Sequence, residues 1–267
     1  MRVAEVDSIF ELMEKLNWIA PYTDLWYRGS SNLGYGLLPG LVWRNDTEWE
    51  ANYVHKFLVG YQAYADHKVT NPWAQYALMQ HHGLPTRLLD WSSSPLSAIF
   101  FALHQDPESD TDRVVWILDP REFNNHFHNF TSIICPAILA STELKEEKNN
   151  PDSEPWNVDA YLPRILDKND HYELPEKPIA IDSPYSNKRL AAQHGRFTLH
   201  GSNNECLLKQ LEACENDKVL SAFVLKSKGR LAEFKEQLYT LGINEETIYQ
   251  DLDSLARNII RQEYERK

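Results

Sequence analysis

The run Gln80-His81-His82-Gly83-Leu84-Pro85-Thr86-Arg87-Leu88-Leu89-Asp90-Trp91-Ser92 constrains this chain most, because it crowds hydrogen-bonding and titratable groups between two apolar helical segments. Upstream, Asn71-Pro72 opens a helix as cap and first residue, and the pattern runs through Trp73, Tyr76 and Met79 to a stop at Gly83. Downstream, the residues LSAIFFAL after Pro95 are apolar on nearly every side and predict a buried helix. Burying so many polar groups costs free energy unless each finds a partner, and such crowding is tolerated mainly at sites.

Around this run, helices and strands are interspersed without the regular rhythm of a doubly wound sheet. Val6, Ile9, Phe10, Met13 and Leu16 recur at helical spacing, so the chain is expected to open with an amphipathic helix. Leu25 to Arg28 has strand character and stops at Gly29-Ser30-Ser31, and a glycine-rich loop leads from there to Trp43-Arg44. Trp49, Tyr53, Phe57, Tyr61 and Tyr64 predict an aromatic helix face. The acids between His104 and Asp112 mark a solvated loop, and Val114–Leu118 a buried strand. Ile179–Ile181, Phe197–Leu199 and Val219–Lys226 read as further ordered or strand segments, with a helical turn over 187–193. Two last helices carry Leu231 to Leu241 and Leu252, Leu255, Ala256 and Ile259. Residues 141–177 hold ten acids, five bases and four prolines, which predicts an acidic, irregular and exposed insertion with short helical pieces over 158–166.

The expected architecture is α+β: residues 1–267 as one domain, with a central mixed or antiparallel sheet flanked by helices. A length of 267 residues, 42% of them hydrophobic, can bury a sizeable core and excludes wholesale disorder. The net charge of −12 argues against loose, charge-driven binding to nucleic acid or anionic membrane, while leaving room for a local basic pocket. Cys135, Cys206 and Cys214 form no CxxC pair and read as reduced thiols. The acids in the first apolar pattern fit no signal peptide, and no stretch reaches the ~18 apolar residues of a membrane span. A cytoplasmic location with no membrane partner is the expectation.

The common phosphate-loop, dinucleotide, nucleophile-elbow and zinc-protease signatures are absent. His126 and His128 could present two imidazoles to a metal, but no third ligand stands at a telling distance, and two partly exposed histidines is the plainer reading. No metal is expected. Tyr27-Arg28-Gly29 is more informative. An arginine beside a Gly-Ser-Ser turn can hold its fork over a groove and take a phosphate or carboxylate, with Gly29 leaving the ligand room. The alternative is a structural salt bridge from Arg28 to a carboxylate such as Asp90. The run from Arg189 to Phe197, with Gln193-His194-Gly195 at its centre, repeats the plan of residues 80–92. It suggests either a shared cleft or two unrelated helix ends.

YRG at 27–29, QHHGLPTRLLDWSSSP at 80–95 and RLAAQHGRFTLH at 189–200 resemble the FRG domain family, named for an aromatic-Arg-Gly motif. The segment LYTLGINEETIYQDLDSLA resembles that family's closing stretch, which leaves 141–177 outside the likeness. The resemblance implies a bacterial or phage-conflict setting. A weaker resemblance is to ADP-ribosyltransferases, through Arg28 on a first strand and Trp91-Ser92-Ser93-Ser94 leading into an apolar helix. It implies a related fold and a nucleotide-handling toxin or defence effector that uses NAD as substrate. Arg28 and Arg87 would hold phosphates, Ser92 and Ser93 the ribose, and His82 and Gln193 the reacting centre. Tyr27, Gly29, Asp90, Trp91 and His194 would complete the nucleotide site. The implied partners are a macromolecular acceptor, RNA or protein, and a regulatory protein.

The departure from that pattern is its late carboxylate, since Gln193-His194 offers none. Gln193 acts by hydrogen bonding, or Asp90 supplies the carboxylate, or ADP-ribose is not transferred. Two other classes stay open. One is a nucleotide sensor that reports through the acidic insertion. The other is a metal-independent RNA-cleaving enzyme using His81 or His82, although adjacent helical residues point about 100° apart.

Overall fold

A computed structural model describes residues 1–19, 24–65, 67–139, 143–144, 156–166, 173–184, 188–214 and 216–265. The strands are β1 (Arg2–Val6), β2 (Trp26–Ser30), β3 (Leu88–Ser92), β4 (Arg113–Leu118), β5 (Glu143–Leu144), β6 (Trp156–Asn157), β7 (Ile179–Ile181), β8 (Gly195–Leu199) and β9 (Leu220–Leu225). The principal helices are α1 (Ile9–Ile19), α2 (Gly40–Trp43), α3 (Glu50–Gly60), α4 (Pro72–His81), α5 (Pro95–His104) and α6 (Pro120–His128). They continue with α7 (Lys188–Ala192), α8 (Leu207–Gln210), α9 (Leu231–Thr240), α10 (Glu245–Tyr249) and α11 (Leu252–Glu265).

Seven strands form one mixed sheet in the order β1-β9-β4-β2-β3-β8-β7, so the expected α+β architecture holds. β1 runs parallel to β9, and the other neighbours are antiparallel. Alternation along the strands sorts their side chains onto two faces. Tyr27, Val115, Ile117 and Phe223 pack under α1, α5 and α9, whereas Leu88, Phe197 and Leu199 on the same face pack with α4 and the 158–166 segment. The opposite face gathers Trp26, Trp91 and Trp116 with α6.

The two covers on the first face meet over the junction of β2 and β3, and there the sheet splays. β2 pairs with β4 through five residues but with β3 only at Tyr27 and Ser92. Loop 31–39 and α2 then close the wide end. Thr111 Oγ1 donates to the Ser31 carbonyl at 2.8 Å on one side, and the Leu41 amide to the Thr86 carbonyl at 3.2 Å on the other. Arg113, fully buried, spreads its guanidinium over the carbonyls of Ser31, Gln105, Asp106 and Ser109, tying the exit of β2 to the end of α5.

Gly29 is where α5 lies against β2. A Cβ at this position would overlap the Ala98 carbonyl and the Ala102 amide. The missing side chain therefore admits a helix backbone as well as facing the groove.

Several expectations change. The first apolar residues split into β1 and α1, because Val6 caps a strand ladder with β9 while Ile9, Leu12 and Leu16 form the buried helix face. The aromatic stripe is buried only in part: Tyr61 is buried, as is Val54 off the stripe, and Phe57 packs against the core, while Trp49 and Tyr64 stand in solvent. The acidic 104–112 loop is anchored, for Asp110 and Asp112 accept the Gly229 and Lys228 amides. Within 141–177, the described piece over 158–166 is helical only at Val158–Tyr161 and puts Val158, Tyr161, Leu162 and Leu166 into the core instead of exposing them. Much of the rest of that stretch lies outside the described residues. In α11 the polar Ser254 and Asn258 face inward, and Leu252, Ile259 and Ile260 face solvent. No described helix is long and apolar enough to cross a membrane.

Gly29→Ala is expected to lower the unfolding free energy by about 3 kcal/mol or more, since neither α5 nor β2 can yield without moving backbone. Urea unfolding measures it; a loss below 1 kcal/mol would contradict the contact.

Candidate functional site

The splay opens into a cleft of about 280 Å³, and all three polar motifs reach it. Tyr27, Arg28 and Gly29 come from β2, Gln80, His81 and Gly83 from the end of α4, and Asp90, Trp91 and Ser92 from β3. Phe101 and Gln105 arrive from α5, and Arg189 and Gln193 from α7 and its exit. The two polar helix-to-strand junctions therefore share one cleft.

Arg28 sits where the ladder between β2 and β3 gives out. Its Nη1 donates to the Asp90 main-chain carbonyl at 2.6 Å, taking the place of a missing strand-to-strand bond. The Asp90 carboxylate is 4.0 Å away, too long for a strong ion pair. The guanidinium thus serves as a structural strut and still presents donors to the cleft. Burial lowers the Arg28 pKa from its ordinary value, and Asp90 opposes that shift.

Asp90 is the one carboxylate among the cleft's lining residues, and 58% of its side chain is open. A relay orients it. The Leu88 amide donates to Thr86 Oγ1 at 3.1 Å, and Thr86 Oγ1 donates to Gln80 Oε1 at 2.6 Å. Gln80 Nε2 then donates to Asp90 Oδ2 at 2.7 Å. Surrounding protein pushes the carboxyl pKa above its usual value, while Arg28 and Gln80 pull the other way.

Arg189 is the second cation of the cleft. Its guanidinium carbon lies 4.7 Å from the Tyr249 ring centre, and its buried Nε has no hydrogen-bond partner among the described residues. One turn later on the same face comes Gln193, whose Nε2 donates to the Ile248 carbonyl at 3.3 Å. His81 also lines the cleft; its pKa falls to about 4 through burial, then His82 and Arg189, so its ring is neutral at pH 7. With Arg28 and Arg189 against Asp90, the cleft carries a net positive charge.

Other expected site residues lie elsewhere. Arg87 is buried away from the cleft: its Nε donates to Glu50 Oε2 at 2.8 Å and its Nη1 to the Gly201 carbonyl at 2.9 Å. Tyr76 completes this brace, donating to Glu50 Oε1 at 2.7 Å while accepting the Arg87 amide. A guanidinium so held is a poor phosphate ligand. His82 and His194 are exposed and outside the lining, His194 at φ +50° on the turn before Gly195. Ser93 likewise does not line the cleft, and its amide donates to the His194 carbonyl at 3.0 Å. Ser92 lines the cleft, but its hydroxyl donates to the Gln193 carbonyl at 2.6 Å and accepts the Ser94 amide, fastening β3 to the third motif. Trp91 Nε1 donates to Thr198 Oγ1, which contacts the buried His200 ring. His128 Nε2 donates to the Pro178 carbonyl, and no three potential metal-ligating side chains cluster among the described residues.

Gln80, His81 and Phe101 belong to the cleft although sequence reasoning gave them no part in the nucleotide site. For Arg189 a signal existed, since it stands one helical turn before Gln193. The Gln80–Asp90 contact crosses a glycine turn and had no comparable signal.

Residues 23–111 match the model of the FRG domain family. The match holds β2, α4, β3 and α5, hence two of the three motifs, while Arg189 and Gln193 lie beyond it. No curated protein and no solved structure matches the chain, so the likeness to ADP-ribosyltransferases has no support among them.

Two outcomes follow. Glu50→Gln should destabilise the fold by about 3–5 kcal/mol, because it strands the buried Arg87 charge, whereas Arg28→Ala should cost far less. Equal losses in chemical denaturation would overturn the division between brace and cleft. His81, His128 and His200 have pKa values lowered by burial to about 4, about 4 and about 3. Their contribution to stability is therefore whole above their unfolded value of ~6.5 and is lost as pH falls from there toward 3. Unfolding followed from pH 7 to 4 should show the decline, with a flat profile as the contrary result.

Proposed function

We propose that the cleft binds a nucleotide and that the chain transfers ADP-ribose from NAD to a macromolecular acceptor, RNA or protein, as a toxin or defence effector. The FRG domain supports a place among nucleotide-handling, defence-associated modules. The observation that carries the reading is the pairing of an oriented, open carboxylate at Asp90 with two guanidiniums, Arg28 and Arg189, in one aromatic-walled cleft.

Arginine forks suit the two phosphates, since charge-assisted hydrogen bonds fix their orientation. The bond between the ribose C1′ and nicotinamide breaks, and its electron pair leaves with nicotinamide. C1′ becomes positively charged, and an anion facing it stabilises that charge as in glycosidases. Asp90 takes this role, resolving the missing carboxylate of the third motif. The acceptor's nucleophilic atom then bonds to C1′, and its proton passes to Asp90. Gln193 borders the reacting centre without supplying charge.

For the RNA-cleaving alternative the cleft offers His81 but not His82, so the two histidines do not form an acid and base pair there. Tight NAD binding without turnover would identify the sensor instead.

Asp90→Asn should cut nicotinamide release about 100-fold or more while NAD still binds, and Arg28→Ala should weaken binding itself. Nicotinamide release is followed by chromatography and binding by calorimetry. Undiminished release by Asp90→Asn would sink the carboxylate's role.

A further inference from the structure

The cleft volume lies at or below the lower end of small-molecule sites, roughly 300–1,000 Å³, so a ligand with two nucleotide halves must extend past it. The loop that closes the splay is moored on both rims. Tyr35 Oη donates to Asp106 at 3.4 Å, one residue beyond the cleft-lining Gln105. On the other rim the Leu41 amide of α2 donates to the Thr86 carbonyl at 3.2 Å, three residues beyond the cleft-lining Gly83.

Together the loop and α2 carry an exposed aromatic pair. The Tyr35 and Trp43 rings pack edge to face with centres 5.8 Å apart, and Trp43 remains 58% exposed. An edge-to-face pair leaves a ring face free for a third planar group. Large aromatic surface left in water beside a cationic cleft is what base stacking uses, and it is indifferent to which base is bound.

We propose that Tyr35 and Trp43 form a stacking subsite for the distal base of a dinucleotide whose other half occupies the cleft. This rests on the nucleotide reading above and deepens it: the preferred ligand has two planar rings joined through phosphates, with Arg28 and Arg189 under the phosphates. Stacking on the loop would also hold that loop against both rims.

Calorimetry with NAD and with nicotinamide mononucleotide, on the wild-type chain and on Trp43→Ala, Trp43→Phe and Arg28→Ala, tests this. NAD should bind the wild-type chain about 10-fold or more tighter than the mononucleotide, in line with ~1–3 kcal/mol per stacked base. Trp43→Ala should abolish that advantage and leave mononucleotide binding unchanged, Trp43→Phe should keep most of it, and Arg28→Ala should weaken both ligands. If Trp43→Ala binds NAD as tightly as wild type while Arg28→Ala does not, the subsite is wrong and the cleft reading stands. If neither ligand binds the wild-type chain, both are overturned.

Discussion

One bond that a sheet would ordinarily make is missing, and much of the molecule is arranged around its absence. β2 follows β4 closely and leaves β3 after a single pair. Main-chain carbonyls exposed by such a divergence need donors, and Arg28 supplies one to Asp90. The same divergence separates the helical cover of α1, α5 and α9 from that of α4, leaving a furrow over the open ladder. The backbone approach at Gly29 holds one wall upright, and the mooring of loop 31–39 at Ser31 and Thr86 sets how far the walls part.

The polar crowd before and within β3 divides into two groups with opposite surroundings. Arg87, Glu50 and Tyr76 satisfy one another in the interior, which makes them costly to break and holds them away from the cleft. Gln80 and Asp90 are tied by short bonds yet remain open on one side. Arg87 and Asp90, three apart in sequence, fall into different groups because an extended chain sends successive side chains to opposite faces.

Sequence patterning revealed the chemistry of the cleft better than its membership. The glycine turn at 83 and the buried strand through Val115 and Trp116 were readable, because turn chemistry and apolar runs are local signals, whereas Gly29 does not stop its strand but pairs with Val115 inside β2, where the close approach of α5 requires it. Convergence of the three motifs was readable as one of two alternatives, and the sheet order β2-β3-β8 decides it. Arg87 was misplaced because its partner Glu50 is remote in sequence, at the start of α3. The split of the first apolar stretch into β1 and α1 depends on a ladder with β9, close to the other end of the chain. The polar inner face of α11 runs against periodicity, since the Ser254 hydroxyl accepts from Arg257 and Asn258 donates to Glu246 instead of meeting an apolar core.

The strut at Arg28 has a thermodynamic consequence. An arginine reaching for an anion from a free surface gives up about 1.5–2 kcal/mol of rotamer freedom when it binds. Here that freedom is surrendered when the chain folds, because one donor is already committed to the Asp90 carbonyl. The guanidinium's remaining donors arrive with their direction set. Recognition at this position is thus decided during folding, and an anion meets a receptor that has little left to reorganise.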